Sequence, residues 1–197
     1  LDGATVCIQT GTTTELNLAD FFRLNGISYE ALPIETNDEG KENLFAGRCD
    51  VYTTDASGLS STRAAASNPD KWVVLPEIIS KEPLGPLVRH GDHQWGDVVR
   101  WSLNAMIIAE ELGITSENVD AQMSSNVPEV LRLLGVEGNY GEMLELSNDW
   151  AYQIIKQIGN YSESYEANVG PDTPLEIARG LNALWTQGGI LYAPPFR

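Results

Sequence analysis

Positive charge is what this chain has least of. Twelve Lys and Arg stand against 28 Asp and Glu in 197 residues, a formal net charge of −16. Residues 1–83 hold 6 basic and 13 acidic side chains and residues 84–197 hold 6 and 15, so neither half can build the basic face that phosphate neutralisation requires. Nucleic acid is excluded as a partner on this ground, and an anionic membrane surface would repel both halves. Long apolar runs are lacking too. The longest, such as Ala105 to Ala109, is a few residues, against the roughly 20 that cross a bilayer, so no direct membrane insertion is expected. Cysteine is limited to Cys7 and Cys49, with no C-x-x-C spacing to suggest zinc or dithiol redox chemistry. The G-x-S-x-G, P-loop and G-x-G-x-x-G patterns are missing as well. An initiator Met is absent, the chain opening Leu1-Asp2-Gly3, which reads as a processed product or a piece of something longer.

What is present is ordinary globular material. The apolar fraction is 42%, with 18 Gly and 10 Pro, and the length is enough to bury a core without metal or disulfide staples. Residues 1–83 read as alternating strands and helices. Ala4 to Thr10 is a β-rich run entering a Gly-Thr cluster, and Glu15 to Leu24 spaces Leu16, Ala19 and Phe22 as a helix ending near Asn25-Gly26. Tyr29 to Ile34 is a second strand, Gly40 to Ala46 a short helix, Cys49 to Thr54 a third strand and Trp72 to Leu75 a fourth. This alternation predicts βαβ units on a parallel sheet, an α/β fold.

Beyond the punctuated Pro83-Leu84-Gly85-Pro86 the texture changes. Leu87 to Arg89 is one more extended stretch, and the rest reads as helices: Asp97 to Leu112, Pro128 to Leu134, Ser147 to Ile158, and a last one opened by Thr173-Pro174-Leu175-Glu176 and running to about Trp185. That last start has the pattern of a capping box with Pro at the first helical position. The domains are therefore expected at 1–83, an α/β lobe, and 84–197, mostly helical. The apolar faces carrying Trp101, Ile108, Trp150 and Ile154 have no sheet of their own to cover, so the second segment is expected to need a partner.

The segment Gln9-Thr10-Gly11-Thr12-Thr13-Thr14-Glu15 lies between a strand and a helix. Thr12 with Glu15 reads as a capping box that satisfies amides of the first turn. The same amides and the helix dipole also favour an anion, a carboxylate or a phosphate, with Gly11 allowing close approach. Asp55 ends the third strand on the same side of the sheet. It either caps the turn at Gly58 or faces the crevice outside the strand ends, where ligands of open parallel sheets bind. Together an anion-binding turn and a carboxylate suit a zwitterion. Cys7 and Cys49 fall on the same two strands, as two buried thiols or as a bonded pair. His90 and His93, in a Gly-containing loop without a third partner, read as solvated rather than as a metal site.

The ordered set LDGATVCIQTGTTTELNL, FAGRCDVYTTDASGL and VVLPEIISKEPLGPLVRHGD, with a helix bearing Trp101 and a C-terminal stretch SNDWAYQIIKQIGNY…PLEIARGLNALW, resembles the periplasmic amino-acid-binding proteins of ABC importers. It is most similar to the general L-amino-acid-binding type, over essentially all 197 residues. The resemblance implies a periplasmic-binding-protein fold, residues 1–83 being the second lobe and 84–197 the return to the first lobe plus a helical extension. The N-terminal half of the first lobe, with its Arg clamp and aromatic wall, is not matched, and is expected to come from a missing segment or a second chain.

By position, Thr12 and Thr13 match the residues that hold the ligand α-carboxylate, and Asp55 the acceptor of the α-ammonium. Gln9 and Thr54 match positions that touch the ligand side chain. The implied function is capture of L-amino acids in an interlobe cleft in the periplasm, for delivery to the membrane subunits of an ABC permease, with no catalytic residue, cofactor or metal. An oxidising envelope compartment then favours a Cys7–Cys49 disulfide. Two alternatives are an enzyme on the same scaffold, of the cyclohexadienyl or arogenate dehydratase kind, and an interaction fragment that binds nothing.

Overall fold

In a computed structural model, which describes residues 1–81 and 83–197, the chain divides into two compact units, Leu1–Leu84 and Gly85–Arg197. The quoted segment VVLPEIISKEPLGPLVRHGD contains Glu82, which lies outside the described residues.

The first unit is a three-stranded parallel sheet with helices on both faces. In chain order it runs β1 (Ala4–Gln9), α1 (Thr13–Asn25), β2 (Tyr29–Ile34), α2 (Asn37–Phe45), β3 (Val51–Tyr52) and α3 (Ala56–Ala64). The strand order is β2-β1-β3, with Ala4 set against Tyr29 and Gln9 against Ile34 on one side of β1, and Cys7 against Tyr52 on the other. The central strand buries three consecutive residues, Val6, Cys7 and Ile8, as a strand covered on both faces must. Side chains alternate across it. Val6 and Ile8 pack on Leu18 and Phe22 of α1, while Cys7 packs with Ile34, Cys49 and Tyr52, and with Leu44 and Leu59 from α2 and α3.

The stripe of α1 therefore differs from the one expected. Leu18 and Phe22, four apart, are buried, and Leu16 is 68% exposed. The helix starts two residues earlier than Glu15 and ends at Gly26, which takes the left-handed conformation at φ 64° that stops many helices. The third strand is shorter than Cys49 to Thr54, so that Cys49 precedes it. The expected fourth strand does not form: Trp72 to Leu75 carry no ladder, and Val73 is 77% exposed. Trp72 instead follows a 3-10 turn, Pro69–Lys71, and its ring meets Phe45 at 5.2 Å. Leu87 to Arg89 likewise belong to no strand.

The second unit is helical: α4 (His93–Glu111), α5 (Val119–Gln122), α6 (Pro128–Leu133), α7 (Tyr140–Met143), α8 (Trp150–Ile158) and α9 (Tyr161–Asn168). Its apolar faces find each other. Ala105, Ile108 and Ala109 of α4 are buried with Leu133, Trp150 and Ile155, and Trp101 and Ile154 pack at the margin of this core. The expectation that these faces lack anything to bury against is thus corrected, because a helical core needs no sheet.

The helix expected from Thr173 to Trp185 is absent. The Thr173 hydroxyl accepts from the amide of Leu175 rather than from that of Glu176, Glu176 adopts φ 52°, and the Ile177 amide donates back to Val169. Only 3-10 turns at Gly180–Asn182 and Trp185–Gln187 follow. Among the described residues no helix is long and apolar enough to cross a membrane.

Candidate ligand site at the ends of β1 and β3

The connections leaving β1 and β3 go to opposite faces of the sheet, since α1 covers the Val6 and Ile8 face and Leu59 of α3 lies with Cys7 and Tyr52. Parallel sheets open a crevice where neighbouring connections part in this way. The ladder between the two strands ends at Cys7 and Tyr52, closed by the amide of Thr53 on the Cys7 carbonyl. Two residues beyond Cys7 is Gln9, and two beyond Tyr52 is Thr54, with Asp55 next.

The turn after β1 is a variant of the expected capping box. The Thr12 hydroxyl accepts from the Glu15 amide at 3.4 Å and donates to the Gln9 carbonyl at 2.7 Å. The Glu15 carboxylate passes over the N-cap and receives the amide of Gly11 at 2.8 Å. The same device starts α2, where Thr36 caps Glu39 and the Glu39 carboxylate receives the amide of Glu35 at 2.8 Å. In both helices a carboxylate stands in the first turn, where the dipole favours it. Thr12 is thereby oriented by its own turn, and Gly11 takes φ 71°, accessible without strain to glycine. Gln9 donates from its amide nitrogen to the Glu35 carbonyl at 2.9 Å, which tilts its side chain toward the β2 side.

Asp55 is the N-cap of α3, one of the two roles its position allows. Its Oδ2 accepts the Ser57 hydroxyl at 2.5 Å and the Gly58 amide at 2.8 Å. Its Oδ1 receives the Thr54 hydroxyl at 3.4 Å. The Ser57 hydrogen bond above all holds the carboxyl below its ordinary range, against burial, which pushes it up, and with further help from the Gly58 amide, so Asp55 is ionised at neutral pH. The Gly58 cap is the one the sequence offers, whereas Ser57 enters only through the geometry, although an Asp at a strand end followed two residues later by Ser is a local turn pattern.

Cys7 and Cys49 are bonded, with Cα atoms 5.7 Å apart, tying β1 to the segment that leads into β3 beneath this site. His90 and His93 lie with Arg89, Asp92 and Arg100 around a cavity of about 260 Å³ in the second unit. Among the described residues no three His, Cys, Asp or Glu come together as a metal site.

Fold and site make a parallel α/β unit in which the start of α1 and the ionised carboxylate of Asp55 flank a switch point. The chain is 58% identical over 198 residues to a glutamate/glutamine/aspartate/asparagine-binding protein of Rhodobacter capsulatus. It is 56% identical over 199 residues to a general L-amino acid-binding periplasmic protein of Rhizobium johnstonii. Both alignments cover the whole chain and 59% and 58% of the relatives, so the chain spans under three fifths of their length. A solved periplasmic binding protein of an ABC transporter from Brucella ovis, with glutathione bound, matches with a TM-score of 0.94 and 52% identity, over 100% of this chain and 62% of that one. No family model matches the chain. Over its whole length the chain is thus similar to periplasmic amino-acid-binding proteins of ABC importers.

Proposed function

We propose that this chain serves in the capture of L-amino acids for an ABC importer, on the periplasmic side of the membrane and in partnership with the importer's membrane subunits. The observation that carries the reading is the pairing, in a chain with amino-acid-binding relatives, of the Gly11–Thr13 helix start with ionised Asp55 on either side of one switch point. An α-amino acid is a zwitterion. Its carboxylate would lie at the start of α1 against Thr12 and Thr13, and its ammonium on Asp55. Gln9 and Thr54 offer neutral polar groups to the ligand side chain, which favours no single charge there. Residues 84–197 would be the return into the other lobe and its helical extension, completed by a segment or chain that supplies the remaining ligand contacts.

The relatives suggest which side chains to try. One is named for glutamate, glutamine, aspartate and asparagine, and another protein was solved with glutathione. Glutathione begins with a glutamyl residue whose α-amino and α-carboxyl groups are both free, so the same polar head occurs in all five compounds. We read the chain as a receptor and assign it no catalytic residue.

Calorimetric titration of the complete polypeptide with these five compounds tests the proposal. Binding to wild type and a loss of roughly tenfold to a hundredfold in Asp55→Asn is the expected result, the size of one or two charge-assisted hydrogen bonds. No heat from any of the five, or an Asp55→Asn variant that binds as wild type does, would overturn it.

A further inference from the structure

The contacts around Asp55 are unequal, and the inequality has a use. A carboxylate can accept about four hydrogen bonds, two at each oxygen. Oδ2 takes the Ser57 hydroxyl at 2.5 Å and the Gly58 amide at 2.8 Å, whereas Oδ1 receives the Thr54 hydroxyl at 3.4 Å. One oxygen is consumed in fixing the group and the other retains accepting capacity. Gly58 makes the arrangement compact. A Cβ there would stand 3.1 Å from Oδ1 of Asp55 and 3.1 Å from Cγ2 of Thr54, closer than the side chains could hold without shifting. Ser57 itself is exposed and Asp55 half-buried, so no packing of the Ser57 side chain accounts for so short a bond.

Resting on the function proposed above, we infer that Ser57 is a positioning residue for the ligand: its hydroxyl locks Asp55 through Oδ2, leaving Oδ1 presented to the ligand ammonium. Preorganisation of this kind lowers the cost of ordering the group when ligand arrives. It also has a pH signature, because hydrogen bonds to the charged form favour that form. Tyr52 is a titratable neighbour that senses the Asp55 charge, and burial holds its phenol above the ordinary range, so it stays neutral wherever Asp55 titrates.

The test uses the complete polypeptide with L-glutamate as the probe, in three variants. Ser57→Ala should weaken binding roughly threefold to tenfold at pH 7, the range for one hydrogen bond acting through another group. It should also move the acid limb of affinity to higher pH, and raise the Asp55 carboxyl pKa read by carbon NMR. Ser57→Thr, which keeps the hydroxyl, should restore both. Asp55→Asn separates the two levels of the argument. If Asp55→Asn weakens binding roughly tenfold or more while Ser57→Ala leaves the affinity and the acid limb unchanged, the role of Ser57 is refuted and the ligand site stands. If Asp55→Asn binds as wild type does, the site assignment falls and the role of Ser57 falls with it. A Ser57→Ala variant with weaker binding but an unmoved Asp55 titration would also refute the inference, since simple fraying of α3 would explain the loss.

Discussion

The Glu15 carboxylate receives the amide of Gly11 at 2.8 Å, across the Thr12 cap and at the place where a ligand carboxylate is proposed to sit. An internal anion thus already stands at this helix start, and a second brings like-charge repulsion. Glu39 makes the equivalent bond to Glu35 on α2, where no ligand is proposed, and so serves as a control. Glu15→Gln and Glu39→Gln should each cost about 0.3–1 kcal/mol of stability, the scale of a first-turn charge on the dipole. Only Glu15→Gln should alter amino-acid affinity, strengthening it by roughly twofold to fivefold as the repulsion is removed. Parallel urea melts and calorimetric titrations of the two variants check this, and equal affinities would refute it.

The disulfide should be a large contributor to the stability of the first unit. Cys7 and Cys49 are separated by 42 residues, and closing a loop of that size in the unfolded chain is worth about 2–4 kcal/mol. Cys7 is fully buried and Cys49 is 4% exposed, so mild reductant should leave the bond intact until the unit unfolds. A thiol assay is expected to find no reactive groups in denaturant alone and two after reduction. The Cys7→Ala, Cys49→Ala pair should lower the denaturant midpoint accordingly, and two thiols titrating in unreduced, denatured protein would show the bond to be absent.

Much of the first unit was legible because its signals are local. Tyr29 to Ile34 is a strand with the bounds read from its composition, and the Gly26 stop of α1 is written in Asn25-Gly26. The misreadings occur where neighbours decide. Trp72 to Leu75 has the β-branched composition of a strand, yet a strand exists only with a partner for its ladder. Thr173 to Glu176 carries a strong helix start, but the Thr173 hydroxyl bonds Gly170 and Leu175, and the glycines at 180, 188 and 189 disfavour helix. In the site, the Thr12 cap and the place of Asp55 at a strand end are written in the local sequence, while the ligand roles expected of Thr12, Thr13 and Asp55 come from the family resemblance. The use of Gly11 by Glu15, and of Asp55 by Ser57, depends on side-chain geometry that spacing alone does not fix.

Gly40 should be intolerant of any side chain. It is buried in α2, and a Cβ would stand 2.6 Å from Cδ1 of Ile34 and 2.7 Å from Cε2 of Tyr52, both within the core on that face of the sheet. Alanine is the better helix former, by about 1 kcal/mol, so on propensity alone Gly40→Ala would stabilise. Overpacking of this severity costs about 1–3 kcal/mol or more, and the sign should therefore be reversed. Thermal denaturation is expected to show a lower midpoint for Gly40→Ala, with Gly47→Ala, whose Cβ would meet nothing within 4 Å, as a comparison that loses only by its positive φ.

Arg179 should be the pin that holds the irregular segment after α9. Its guanidinium donates to both carboxylate oxygens of Glu110 at 3.0 and 3.1 Å and to the Asn182 carbonyl. It also lies 5.2 and 5.3 Å from the ring centres of Tyr161 and Tyr165. The two side chains of the ion pair are 15% and 8% exposed, so removing one leaves a buried charge without its partner, which costs about 3–5 kcal/mol. A second contact on the same helix end, the Trp185 indole on Glu111 at 3.1 Å, cannot supply that charge. Lysine would keep the charge but lose the forked geometry and the stacking, so Arg179→Lys should fall between wild type and Arg179→Ala. Limited proteolysis should cut Arg179→Ala first within residues 170–192, while α4 and α8 remain protected; a cleavage pattern unchanged from wild type would show that the segment is held by its apolar contacts, chiefly Leu184, instead.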